Sequence, residues 1–163
     1  MNNNIRIVSA LKEEWNNTNH PNLYISGCGK VNAAICAMDI IKDALIKKIN
    51  IKTIINYGTA GSTTGITGLV DCTKFFQRDM DARPLGFNIG ETPFEENSIK
   101  LDFSHLDNPI NKKLTCGTGD SFVTSGNGIN TDVVDMEAYA IAKVCFINKI
   151  EFISYKYITD DGS

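Results

Sequence analysis

Between Leu23 and Tyr57 the hydrophobic period of the sequence changes twice, and this constrains the fold more than any other feature. Leu23-Tyr24-Ile25 is a short β-type run closed by Gly27 and Gly29. From Lys30 to about Lys48, Val31, Ile35, Met38, Ile41 and Leu45 recur at steps of three and four, which is the spacing of one face of an α-helix. Thr53-Ile54-Ile55-Asn56-Tyr57 then reads as a buried strand. Ile5-Arg6-Ile7-Val8 supplies an opening strand, and Glu151–Thr159 an aromatic and β-branched closing one. Val134, Ala138, Ile141 and Cys145 repeat the helical spacing, so a second packed helix is expected over Val134–Asn148 beside the first at Lys30–Lys48. Strands alternating with two good helices predict an α/β fold, a three-layer αβα sandwich around a central mixed sheet, with parallel pairs joined by right-handed crossovers.

The middle of the chain, Asp71 to Lys113, carries no sustained period. It holds three of the four prolines (84, 93, 109) and five phenylalanines. A strand near 70–78 followed by long ordered loops is expected, and Leu114–Val123 reads as a strand interrupted by Gly117 and Gly119. With 163 residues and no linker, repeat or low-complexity stretch, residues 1–163 are expected to form a single domain.

Composition narrows the function classes. Sixteen Lys and Arg against 19 Asp and Glu give a net charge of −3, which disfavours a basic nucleic-acid binder. No apolar run approaches the roughly 18–20 residues that span a bilayer, so no membrane partner is expected. Met1-Asn2-Asn3-Asn4 lacks the basic and apolar regions of a secretory signal. Five cysteines (28, 36, 72, 116, 145), an odd number without a CxxC pair, read as buried small hydrophobes in a reducing cytoplasm. With only His20 and His105, nucleophile–histidine chemistry and metal sites are poorly supported. What remains is a cytoplasmic domain whose chemistry rests on carboxylates, hydroxyls and backbone.

Five clusters can carry such chemistry. Gly27-Cys28-Gly29-Lys30-Val31-Asn32 joins a strand to a helix but lacks the third glycine of a dinucleotide fingerprint, and a tight turn explains it equally well. Asn56-Tyr57-Gly58-Thr59-Ala60-Gly61 follows a buried strand, where small residues let backbone approach a ligand. In Val133–Ala138, Glu137 falls in the apolar sector expected of its helix. A helix-start acid favoured by the macrodipole is the plain reading; a carboxylate accepting the two hydroxyls of a ribose is the functional one. Lys12-Glu13-Glu14 and Lys156-Tyr157-Ile158-Thr159-Asp160-Asp161 place acids just after the first strand and at the carboxyl end of the last. Singly they read as solvated loop acids. Brought to one pocket, two carboxylates suit acid/base hydrolysis of a glycosidic bond.

Together these pieces resemble the purine nucleoside phosphorylase and nucleosidase superfamily, most closely its 5′-methylthioadenosine/S-adenosylhomocysteine nucleosidase branch. The likeness runs from Ile5 to Asp160 through Ser9–Glu14, Gly27–Ala34, Ile55–Gly61, Gly117–Val123, Asp135–Ala138 and Thr159-Asp160. It implies hydrolysis of a purine nucleoside to free base and sugar, with no metal and no organic cofactor. By that likeness Glu14 matches the water-activating carboxylate and Asp160, rather than its neighbour Asp161, the acid that protonates N7 of the leaving purine. Met136 and Glu137 match the ribose-contacting pair. Phe122 matches the base-stacking residue, Val123 the backbone that reads the purine edge, and Thr59 a small hydroxyl residue near the sugar. A phosphorylase is the runner-up, but the arginine that such members place before the Gly-Thr-Ala-Gly turn is replaced by Asn56 and Tyr57. A nucleoside-binding protein without turnover is the third reading.

Two departures accompany the likeness. Only thirteen positions separate Glu14 from Gly27, where longer members fit another strand pair, and the sequence stops three residues after Asp160, where relatives continue into a helix over the pocket. Gln77–Phe94 puts Met80, Leu85, Phe87 and Phe94 into a stretch without period. Either Phe87 and Phe94 fold onto their own core or, as the resemblance implies, the stretch packs against a second subunit of a homodimer.

Overall fold

The computed structural model describes residues 4–123 and 128–160, residue 160 by its backbone alone. Met1–Asn3 and Asp161, both weighed above, lie outside the described residues. The strands are β1 (Ile5–Ser9), β2 (Leu23–Ile25), β3 (Thr53–Ser62), β4 (Gly68–Gln77), β5 (Lys100–Asp102), β6 (Leu114–Thr118), β7 (Val133–Asp135) and β8 (Glu151–Asp160), with helices α1 (Lys30–Ile46) and α2 (Ala138–Ile147). They form one mixed sheet of order β2-β1-β3-β7-β6-β4-β5, in which β8 pairs with both β3 and β4. The α/β class and the mixed sheet agree with the sequence reading. Because β8 bridges β3 and β4, the strands β3, β7, β6, β4 and β8 close into a ring, with β3–β8 parallel and β4–β8 antiparallel.

Period-two burial explains how β8 serves this role: Phe152, Ser154, Lys156 and Ile158 are buried while Tyr155 and Tyr157 are turned outward. Phe152 meets Phe75 of β4 and Phe103 at ring-centroid distances of 4.9 and 5.7 Å, forming the aromatic centre of the core. Buried Asp71 gathers the loop that leads into β6, accepting hydrogen bonds from Lys112 N (2.6 Å) and Asn108 Nδ2 (2.8 Å).

Several expectations change. Val134 lies in β7, not in a helix, because Val133–Asp135 is paired on both sides, antiparallel to β3 and parallel to β6. The helix begins only at Ala138, started by the Asp135 carboxylate, whose Oδ2 accepts from Glu137 N (3.2 Å) and Ala138 N (2.8 Å). Gly58–Gly61 is not a turn; β3 runs through it to Ser62. Leu114–Val123 is strand only to Thr118, and β5 had no signal in the sequence. Helix α1 forms where the spacing puts it, yet packs through Ala33, Ala37, Ile40, Ile41 and Ala44. The larger Val31, Ile35, Met38 and Leu45 stay exposed, so its small-residue face is the one that approaches the sheet and α2 closely. Of the cysteines, 72, 116 and 145 are buried as expected, Cys36 is half-buried and Cys28 is exposed.

Candidate active site

A cavity of about 160 Å³ opens at one end of β1, β3, β6, β7 and β8. Its lining includes Glu14, Thr59, Phe122, Val123, Met136 and Glu137, so six positions picked from the sequence meet in one place. Thr159 and Gly61 also line it, and Asp160 pairs through its backbone with Gly61. The Asp160 side chain lies outside the described residues.

Glu14 sits on a 3-10 turn (Lys12–Trp15) directly after β1. Trp15 packs edge-on against Tyr57 of β3 at 5.3 Å, and Ser9 Oγ donates to Tyr57 O at 2.8 Å, which ties the turn to β3. The Glu14 carboxylate is then held by four donors: Ala10 N and Leu11 N on Oε2, both 3.1 Å, and Thr59 N (2.8 Å) and Thr59 Oγ1 (2.9 Å) on Oε1. A side chain at position 58 would intrude here, since a Cβ on Gly58 would stand 3.0 Å from Glu14 Oε1. The glycine expected to admit a ligand instead admits this carboxylate.

Glu137 precedes α2 and does not lie within it, yet it is buried. Its Oε1 accepts from Gly29 N at 3.0 Å, which brings the Gly27–Asn32 turn to the pocket. In that turn Gly27 and Gly29 have φ of 80° and 93°, which L side chains rarely adopt. Burial pushes the Glu137 carboxyl up, the neighbouring Asp135 charge adds to this, and Lys156 and the Gly29 N–H pull part of it back. Cys28, exposed at the same rim, has its thiol raised by burial and by the charges of Glu137 and Glu14.

Beneath Glu137 lies a buried ion pair that sequence reasoning did not single out. Lys156 Nζ stands 2.9 Å from Asp135 Oδ2, with side chains 1% and 0% exposed. Burial lowers the Lys156 ammonium, but the Asp135 charge beside it prevails and the net shift is upward. Burial likewise raises Asp135, and Lys156 together with Thr118 Oγ1 (2.5 Å) turns the net shift downward. The available signal was the period: Lys156 alternates with outward tyrosines in β8 and so must face inward. Arg78, which also lines the cavity, was likewise missed, although it directly follows an apolar strand. Among the described residues no cluster of three or more His, Cys, Asp or Glu is placed to hold a metal ion, and no helix is long and apolar enough to cross a membrane.

Comparison with known proteins follows the same lines. A profile of the phosphorylase superfamily matches residues 14–163. The chain is 32% identical over 155 residues to a 5′-methylthioadenosine/S-adenosylhomocysteine nucleosidase of Staphylococcus haemolyticus, covering 83% of this chain and 66% of that one. It is 29% identical over 160 residues to the nucleosidase of the same description from Haemophilus influenzae, with 84% and 66% covered. The chain thus spans about two thirds of the length of the curated relatives it matches. An S-adenosylhomocysteine nucleosidase from Streptococcus pyogenes, solved with 5-methylthiotubericidin, superposes at a TM-score of 0.75 with 22% identity, covering 97% of this chain and 84% of that one. A futalosine hydrolase of Helicobacter pylori does so at 0.78 with 18% identity, covering 98% and 85%. By sequence profile and by curated relatives alike, the chain belongs to the phosphorylase superfamily.

Proposed function

We propose that this chain hydrolyses the N-glycosidic bond of a purine nucleoside of the methylthioadenosine/S-adenosylhomocysteine type. The observation that carries the reading is the meeting of Glu14, Thr59, Phe122, Val123, Met136 and Glu137 at one cavity, although they span most of the chain. In the proposed reaction the C1′–N9 bond breaks and its electron pair leaves with the purine. Asp160 gives a proton to N7, which relieves the charge on the base, and water adds to C1′ as Glu14 takes its proton. Glu137 accepts hydrogen bonds from the ribose diol, Met136 packs beside it, and Phe122 and Val123 hold the base. No metal or organic cofactor takes part.

Hydrolysis is favoured over phosphorolysis because the cavity offers no free cation among the described residues. Arg78 spends its guanidinium on backbone carbonyls and Ser121, and Lys30 is paired with Asp79 at 2.6 Å. Incubating the protein with methylthioadenosine, S-adenosylhomocysteine, adenosine and inosine, with and without phosphate, tests the reading. Free base and free sugar without phosphate support it; sugar phosphate formed only with phosphate makes it a phosphorylase; binding without turnover makes it a nucleoside-binding protein.

The raised Glu137 carboxyl gives a pH signature. The diol needs the ionised form, so KM for a ribonucleoside should climb as pH falls through a value above the ordinary glutamate range. In Glu137→Gln that climb should disappear, with KM already high at neutral pH; a wild-type KM profile retained in the variant counts against the diol role.

The proposal includes a homodimer in the cytoplasm. Its support is the stretch around Phe94, which is 92% exposed and meets Phe87 at 5.3 Å, beside Leu85 at 73%. Phe87 and Phe94 pack on each other while Phe94 and Leu85 stay exposed, an apolar surface of the kind that marks a subunit contact. Sedimentation at micromolar concentration should give twice the monomer mass; a monomer there rejects the dimer.

A further inference from the structure

Arg78 is 6% exposed, and among the described residues no carboxylate lies within ion-pair distance of it. Its donors go elsewhere. Nε donates to Gly117 O (3.2 Å), and Nη2 to Gly119 O (3.3 Å), Ser121 O (2.5 Å) and Asp135 O (3.4 Å). Nη1 donates to Ser121 Oγ (3.3 Å). Burying a cation of this kind is costly unless its hydrogen bonds are made, so the carbonyls are held as firmly by the cation as the cation is by them.

The path of the gripped segment is fitted to this side chain. A Cβ on Gly119 would stand 2.7 Å from Arg78 Nη1, whereas one on Gly117 would collide first with Thr131 Oγ1 at 2.6 Å. Of the two glycines that interrupt the run after Leu114, Gly119 is therefore the one that makes room for the guanidinium. Asp79 holds the same segment from the next position, accepting from Asp120 N at 2.8 Å while pairing with Lys30. Ser121 leads directly into Phe122 and Val123 in the cavity wall, and Asp135 is two residues from Glu137.

We propose that Arg78 is a positioning residue that fixes the base-holding segment Ser121–Val123 relative to Glu137, using the carbonyls of Gly117, Gly119, Ser121 and Asp135 as its handles. The role rests on the nucleosidase reading for its consequence in catalysis, but not for its structural part. Lysine cannot replace it, because a single ammonium cannot span carbonyls that a planar fork reaches together.

The test compares wild type, Arg78→Met and Arg78→Lys by amide hydrogen exchange and by steady-state kinetics on methylthioadenosine. In both variants exchange across residues 117–123 should quicken by about tenfold or more, with β1, β3 and β8 still protected. KM for methylthioadenosine and the inhibition constant for free adenine should rise together by about tenfold, with kcat changed by less than about threefold. Exchange at 117–123 equal to wild type in both variants overturns the proposal. So does a fall in kcat at constant KM, or restoration of both readouts by lysine. If Arg78→Met does not fold, Arg78→Lys is judged by the same two readouts. If wild type turns over no nucleoside, the nucleosidase reading fails, while the exchange measurement still decides what Arg78 does.

Discussion

Lys156→Met should lower the free energy of unfolding by about 3–5 kcal/mol, a large share of what a domain of this size possesses. The cause is the partner left behind. Asp135 is wholly buried, and without the ammonium 2.9 Å away its carboxylate would face the core with only hydroxyl, thiol and amide donors. The pair itself is not expected to contribute much over a neutral substitute, since both ions are stripped of water. Lys156→Met combined with Asp135→Asn should therefore recover most of the loss, the amide oxygen still accepting at the start of α2. Urea denaturation of the four proteins closes the cycle. A loss below about 1 kcal/mol in the single variant would mean that Asp135 is satisfied without Lys156.

Glu14→Gln should lower kcat for methylthioadenosine by about 10²–10⁴-fold while the protein stays folded. Loss of the base accounts for part of this and geometry for the rest. Glutamine keeps one accepting oxygen, whereas the site presents donors on both sides, Ala10 N and Leu11 N on one and Thr59 N and Oγ1 on the other. Turned either way, its amide NH2 meets a backbone N–H, and the side chain must leave the place that Gly58 keeps open for it. Near-wild-type turnover would remove Glu14 from the chemistry. Circular dichroism on the same samples separates that outcome from misfolding.

How much of this was legible in the sequence depended on whether the signal was local. Strands β1, β2, β3, β4 and β8 and helix α1 follow from period and composition, and the resemblance brings Glu14, Phe122 and Glu137 into one site. Val134, a β position four residues before Ala138, falls on the helical repeat by coincidence; only pairing with β3 and β6, distant in sequence, settles it. Large apolar residues define the α1 stripe, yet of them only Ile41 is buried, and Ala33, Ala37 and Ala44 allow the helix a closer approach. Arg78 and Lys156 escape a reading of the sequence because a buried charge acquires meaning only with its partners, and these, the carbonyls of 117–121 for Arg78 and Asp135 for Lys156, lie far along the chain. The order of 71–113 resides in single carboxylates such as Asp71, which leave no period to read.

The placement of β8 between β3 and β4 has a bearing on how the chain reaches this state. Until residues 151–160 are in place, β3 and β4 each present an open edge, and those edges are ones on which an unrelated strand can dock. The contacts that close them join segments far apart in sequence, which slows folding and lengthens the exposure. The strand that completes the cavity wall is thus also the one that covers these edges of β3 and β4, and a folding molecule closes them and its site in the same step.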